Sequence, residues 1–154
     1  MRNKRILLAD DNDDTREVMR MLLVGKGAEV VAVKNGLEAV VAFERSCEGE
    51  RFDVVVLDGA MPKLDGFSAA EGIRSFDRQG CGDGERSVRI AVYTAYDEYV
   101  RQSRLLEEKT IDAYWVKPRD LVVLSDQING WLDEKDGFSE EAADAAAQGE
   151  KPTE

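Results

Sequence analysis

The chain contains no histidine. That absence removes the most common general base and, with it, the Ser-His and Cys-His nucleophile pairs. Cysteine is almost as scarce: Cys47 and Cys81 are the only two, far apart and in no CxxC spacing. Neither a zinc site nor a disulfide framework is therefore expected, and both read as ordinary buried or surface thiols. A formal net charge of −11 without any cluster of Lys or Arg excludes a surface for direct nucleic-acid binding, which needs a basic patch. No apolar run approaches the roughly 20 residues of a membrane span. The start, Met1 to Ile6, is basic, but Asp10-Asp11 interrupts the apolar stretch too early for a signal peptide, so a cytoplasmic location without membrane contact is expected.

What the chain has in excess is carboxylate, with 32 Asp and Glu against 21 Lys and Arg. Chemistry here must use carboxylates, a lysine, hydroxyls or a metal ion. Part of the excess is local, because eight acidic residues and only two lysines fall between Asp133 and Glu154. Residues 135–154 are acidic and Ala-rich, and they read as a solvated, disordered tail. Residues 1–134 make one domain, a length at which a single core is normal.

Within that domain apolar runs alternate with helical periodicity. Arg5 to Ala9, Glu29 to Val33, Asp53 to Leu57, Val88 to Tyr93 and Ala113 to Val116 read as strands. Amphipathic segments follow each of them. The first, with Val18, Met19, Leu22 and Leu23, stops at Gly25 and Gly27; a second carries Ala39, Val40 and Phe43 after the turn signal Asn35-Gly36. A third carries Phe67, Ala70, Ile73 and Phe76; Asp97 to Glu108 is a polar fourth, and Leu121 to Asp133 a fifth with Leu124, Ile128 and Trp131 or Leu132 on one stripe. Asp77 to Ser87, with three glycines, reads as a surface loop. Five such units predict an α/β fold with a doubly wound parallel sheet and right-handed crossovers.

The strands end in a chemically pointed set: Asp10-Asp11, Asp58, Thr94 and Lys117. At the carboxyl edge of a parallel sheet such residues converge. Asp58 ends the most continuously apolar strand, and a carboxylate held there can attack phosphorus and form an aspartyl phosphate. Two more carboxylates within about 4 Å repel it by roughly 4 kcal/mol per pair even at an effective dielectric of 20, so the cluster calls for a cation. Mg²⁺ suits hard oxygen ligands and one ion balances three carboxylates and a lysine.

Five pieces in order, Leu8-Ala9-Asp10-Asp11-Asn12, Val56-Leu57-Asp58-Gly59-Ala60-Met61-Pro62, Asp65-Gly66, Tyr93-Thr94-Ala95 and Tyr114-Trp115-Val116-Lys117-Pro118, resemble the receiver domain of two-component response regulators over about residues 3 to 134. The resemblance implies a flavodoxin-like (βα)5 fold with strand order 2-1-3-4-5. It makes Asp58 the phosphoacceptor and Asp11, Asp58 and the backbone carbonyl of Ala60 ligands of Mg²⁺ or Mn²⁺, with Asp10 acting mainly through water. Lys117 and Thr94 would meet the phosphoryl oxygens, Ala95 would leave them room, and Pro118 would follow a cis bond. Tyr114 matches the aromatic switch position, whose ring turns inward when Thr94 moves.

The implied partners are a histidine kinase or histidine phosphotransfer protein and a downstream output protein. With no room for an output domain after Asp133, a stand-alone phosphorelay switch is expected, its surface built on the fourth helix, fifth strand and last helix with Tyr96, Tyr99 and Tyr114 exposed. Ala60 and Tyr96 stand where fast self-dephosphorylating members carry polar side chains, which implies a phosphoryl lifetime of hours. Lys109 to Asp112 lacks the glycine that usually ends the fourth helix, and Arg119 replaces a usual hydrophobic residue. Two other readings stay open. A phosphate-independent receiver would serve only as an interaction module. A haloacid-dehalogenase-like, Mg-dependent phosphatase also uses a strand-end Asp, but its general acid two residues on is Ala60 here.

Overall fold

The computed structural model describes residues 4–81, 87–95, 99–117 and 120–133, with backbone only at 99, 100 and 133. The expected tail, the Lys117–Pro118 bond, Arg119 and Tyr96 lie outside the described residues, as does the side chain of Tyr99.

Five strands, β1 (Arg5–Ala9), β2 (Glu29–Val33), β3 (Val54–Asp58), β4 (Arg89–Thr94) and β5 (Ala113–Val116), alternate with α1 (Asp13–Gly25), α2 (Gly36–Ser46), α3 (Gly66–Arg78), α4 (Tyr99–Glu107) and α5 (Leu121–Asp133). All neighbouring pairs are parallel, in the order β2-β1-β3-β4-β5. This is the doubly wound arrangement expected from the alternation of elements. Four helices begin on side-chain caps: Asn12 accepts from Thr15 N–H, Asn35 from Glu38 N–H, Asp65 from Ser68 N–H and Asp120 from Val122 N–H. Asn35-Gly36, a turn signal in the sequence, is thus a helix start.

The sheet separates two cores by strand alternation. Ile6, Leu8, Val54, Val56, Ala91, Tyr93, Ala113 and Trp115 face α1 and α5, meeting Met19, Leu23, Leu124, Ile128 and Trp131. Leu7, Ala9, Val55, Leu57, Ile90, Val92 and Tyr114 face α2 and α3, with Leu105 of α4 joining them. β3 is buried along its whole length, which is why it shows no polar alternation.

Two sequence expectations fail here. The stretch assigned to a surface loop from Asp77 begins inside α3, and the Asp77 side chain is 5% exposed in an ion pair with Arg74. Cys47 and Cys81, read as free thiols, form a disulfide with Cα atoms 4.8 Å apart. Only the packing of α2 beside α3 brings the end of one next to the end of the other, a proximity invisible in a spacing of 34 residues. A crosslink closing that loop contributes about 3–4 kcal/mol in a chain-entropy estimate. Dithiothreitol, or the pair Cys47→Ser and Cys81→Ser, is accordingly expected to lower the urea midpoint; an unchanged midpoint would show that the bridge contributes nothing.

The fourth helix ends without a glycine by another route. Lys109 takes the left-handed conformation itself (φ 62°), and the N–H groups of Thr110 and Ile111 return to Leu105 C=O.

Candidate functional site

The chain's reactive side chains sit where the ladders run out. One more backbone hydrogen bond extends three of the strand pairings: Asp10 N–H to Val33 C=O at 3.1 Å, Gly59 N–H to Tyr93 C=O at 2.8 Å and Lys117 N–H to Thr94 C=O at 2.6 Å. Asp10, Asp58, Thr94 and Lys117 are thereby fixed along one carboxyl edge. Alternation then sorts them by face. Asp10, Asp58 and Lys117 continue the series that faces α1 and α5, as does Tyr93, whereas Thr94 and Tyr114 belong to the series facing α3.

Asp10, Asp11 and Asp58 each bring a carboxylate oxygen within 4.8 Å of the others, Asp10 and Asp58 buried and Asp11 exposed. Lys117 Nζ lies 3.3 Å from Asp58 Oδ2 and 3.5 Å from Asp10 Oδ2. Ala60 N–H donates to Asp58 Oδ1 at 3.2 Å, and Asn12 N–H to Asp10 Oδ1 at 2.9 Å. Burial, with the charge of Asp10 second, pushes the Asp58 carboxyl up to about 6 in spite of Lys117 and the Ala60 amide. One ammonium thus serves two buried carboxylates with a third beside them, and the uncompensated negative charge and hard oxygen donors fit a small divalent cation such as Mg²⁺. Asp13 and Asp14, in the same acidic run, only open α1, where Asp13 pairs with Arg16.

Tyr93, which sequence reasoning did not single out, belongs to this cluster. Its hydroxyl donates to Asp10 Oδ2 at 2.6 Å, and Lys117 Nζ lies 5.2 Å from its ring centre. Burial, followed by the charge of Asp10, holds the phenol far above its usual range, so it remains a donor. Tyr93 pairs with Asp58 across β3 and β4 and shares its face, a register that only the assembled sheet supplies.

The loop after Asp58 folds back tightly on it. A side chain at Gly66 would place its Cβ 2.2 Å from the Asp58 carbonyl oxygen, and one at Gly59 would lie 2.8 Å from Thr94 Cβ. Thr94 is buried above Gly59, and Ala95 is exposed beyond it. Asp65, besides capping α3, holds Arg101 of α4 in two contacts of 3.1 and 3.2 Å, and that guanidinium stacks 4.7 Å over Phe67. The expectation that Tyr114 is exposed is corrected. It is 2% exposed, its ring 5.9 Å from Phe67 and 25° from parallel, because the α3 core offers the ring apolar cover.

A doubly wound sheet in this strand order is the fold of CheY-like receivers. The model of the response regulator receiver domain matches residues 6–129, and the chain belongs to that family, a signalling domain of two-component systems and not a conventional enzyme. Among curated proteins it is 34% identical over 130 residues to the sensor protein GacS of Pseudomonas syringae pv. syringae, an alignment covering 84% of this chain and 14% of GacS. The receiver domain of a sensor histidine kinase from Pseudomonas aeruginosa, solved with a magnesium ion in its active-site cleft, is 28% identical at a TM-score of 0.64, over 86% of this chain and all of that one. The Saccharomyces cerevisiae receiver domain of Ssk1, solved with the histidine phosphotransfer protein Ypd1, is 25% identical at a TM-score of 0.68, over 84% of this chain and 88% of that one. Among the described residues, no helix is long and apolar enough to cross a membrane.

Proposed function

We propose that this protein is a phosphoryl-accepting switch in which Asp58 takes a phosphoryl group from a histidine kinase or histidine phosphotransfer protein and thereby alters a partner-binding surface. The observation that carries the reading is the sharing of Lys117 between Asp58 and Asp10 inside a three-carboxylate cluster at the sheet edge. These 154 residues include no histidine, so the donor phosphohistidine lies outside them. The Mg²⁺-bearing and phosphotransfer-bound receivers among its structural relatives support the same assignment.

In the reaction an Asp58 carboxylate oxygen attacks phosphorus and the P–N bond to the donor imidazole breaks, the nitrogen keeping the electron pair and taking up a proton. Asp58 is mostly ionised at neutral pH, as a nucleophile must be. Lys117 needs only to turn from Asp58 Oδ2 toward a phosphoryl oxygen to hold the new charge. Mg²⁺ held by Asp11, Asp58 and the Ala60 carbonyl, with Asp10 behind, would neutralise the carboxylates and the phosphoryl oxygens. Thr94 has a hydroxyl to donate, and its movement would press on Gly59, Phe67 and the Tyr114 ring behind them. Ala60 carries no group to orient water, so the phosphoryl group should persist for hours.

Incubation with acetyl phosphate and Mg²⁺ followed by intact mass tests this. One added phosphoryl group is expected, absent in chelator and in Asp58→Asn, with decay over hours after the donor is removed. Loss within seconds would overturn the slow-release reading. Multiple turnover of a small phosphoester would instead support a phosphatase, and no mass gain at all a phosphate-independent interaction module.

A further inference from the structure

We infer that Tyr93 is a positioning residue for the acidic site: its hydroxyl, fixed on Asp10, orients that carboxylate toward the cation and leaves Lys117 to serve Asp58. The inference rests on the phosphoacceptor reading and assigns a role to a residue given none by the sequence.

Asp10 is fully buried, so each of its oxygens needs a hydrogen-bond donor. Oδ1 has the Asn12 amide at 2.9 Å, and Oδ2 has the Tyr93 hydroxyl at 2.6 Å. Lys117 stands 3.5 Å from that same Oδ2 and 3.3 Å from Asp58 Oδ2, a difference too small for Coulomb attraction to choose between them. The choice is made by the hydroxyl. A neutral donor satisfies Asp10 without spending the site's one ammonium, and it leaves the net negative charge that a divalent cation requires. Arg16 adds to the same restraint from outside by donating to the Asp10 carbonyl at 2.8 Å. Without the hydroxyl, Oδ2 is buried beside Lys117 as its nearest donor, and the ammonium is drawn off Asp58 while the carboxylate loses its fixed orientation. Partners of this kind, one shell behind a ligand, typically govern 10- to 100-fold in metal affinity.

Tyr93→Phe keeps the ring, its packing and its contact with the Lys117 ammonium. Titration calorimetry with Mg²⁺ alone is expected to show binding about tenfold weaker than in the unaltered protein. In an Asp10→Asn background, where the amide no longer needs a donor of that kind, the same change should alter Mg²⁺ affinity less than about twofold. Circular dichroism verifies that each variant is folded, and the double variant, which buries no unpartnered carboxylate, keeps the comparison available. Equal affinity in Tyr93→Phe and the unaltered protein overturns the inference, and so does an equal loss in both backgrounds, which would mark packing alone. If the unaltered protein takes up no Mg²⁺, the phosphoacceptor reading falls and takes this inference with it.

Discussion

In chelator at pH 7.5, Asp58→Asn is expected to unfold with about 1–2 kcal/mol more free energy than the unaltered protein, while taking up no phosphoryl group at all. The cause is the carboxyl's displacement from 3.8 to about 6 by burial and by Asp10. Because the folded state binds that proton more tightly than the unfolded chain, metal-free stability falls as pH rises from about 4 through about 6, and the full deficit is present above. The unscreened shift corresponds to about 3 kcal/mol, reduced here because the cluster borders solvent through Asp11. Asparagine removes the charge and therefore the deficit. Below pH 4 the two proteins should converge, and added Mg²⁺ should stabilise the unaltered protein more than the variant. Identical urea midpoints at pH 7.5 would contradict this account. The energy stored in crowding carboxylates at one edge is the cost of a site ready for a cation and a phosphoryl group.

Arg74→Met is expected to destabilise the domain by about 3–5 kcal/mol, which is much of the 5–15 kcal/mol that holds a typical domain folded. Arg74 is 5% exposed in the middle of α3. Its guanidinium donates to Asp77 at 2.9 Å, to Asp112 at 2.9 Å, to Val88 C=O at 2.8 Å and to Thr110 C=O at 3.1 Å. One side chain thus ties α3 to the start of β4 and to the turn between α4 and β5. Methionine fills the space but takes the guanidinium from the buried Asp77, the half-buried Asp112 and two carbonyls, leaving Asp112 with the Ile90 N–H and Asp77 with a longer contact to Arg51. Burial already raises the Asp112 carboxyl even against the pull of Arg74. With the guanidinium gone it rises further, so the destabilisation should be smaller at pH 5 than at pH 7.5. A loss under 1 kcal/mol in denaturant titration would show that the network is dispensable.

Arg74 also shows where sequence reading stops. Its neighbours Ile73 and Ala70 mark an apolar helix face, and an arginine beside them reads as solvated. The i,i+3 spacing to Asp77 on the same helix is local, but nothing local reveals that Asp112 and two carbonyls from other segments will surround it. Tyr93 is a similar case, read as the close of an apolar strand when its hydroxyl in fact reaches Asp10 across 83 positions of sequence. By contrast Asp10, Asp11, Asp58 and Lys117 were legible because each ends an apolar run, and in a parallel sheet ending a run fixes a place on the carboxyl edge. Tyr114 was legible as a strand residue but not as a buried one: its inward ring depends on Phe67, which α3 delivers.

By itself the sequence determined the alternation of strands and helices, the two-sided burial of β3 and the acid and lysine set at the strand ends. These follow from periodicity and chain order, which are local properties. Only the tertiary structure decided which groups share a proton donor or a bond: the Cys47–Cys81 bridge, the Arg74 network, the Tyr93 hydroxyl on Asp10 and the division of Lys117 between two carboxylates. Such pairings depend on differences of a few tenths of an ångström between side chains from separate elements. The packing of helices on the sheet sets those distances, and no spacing along the chain encodes them.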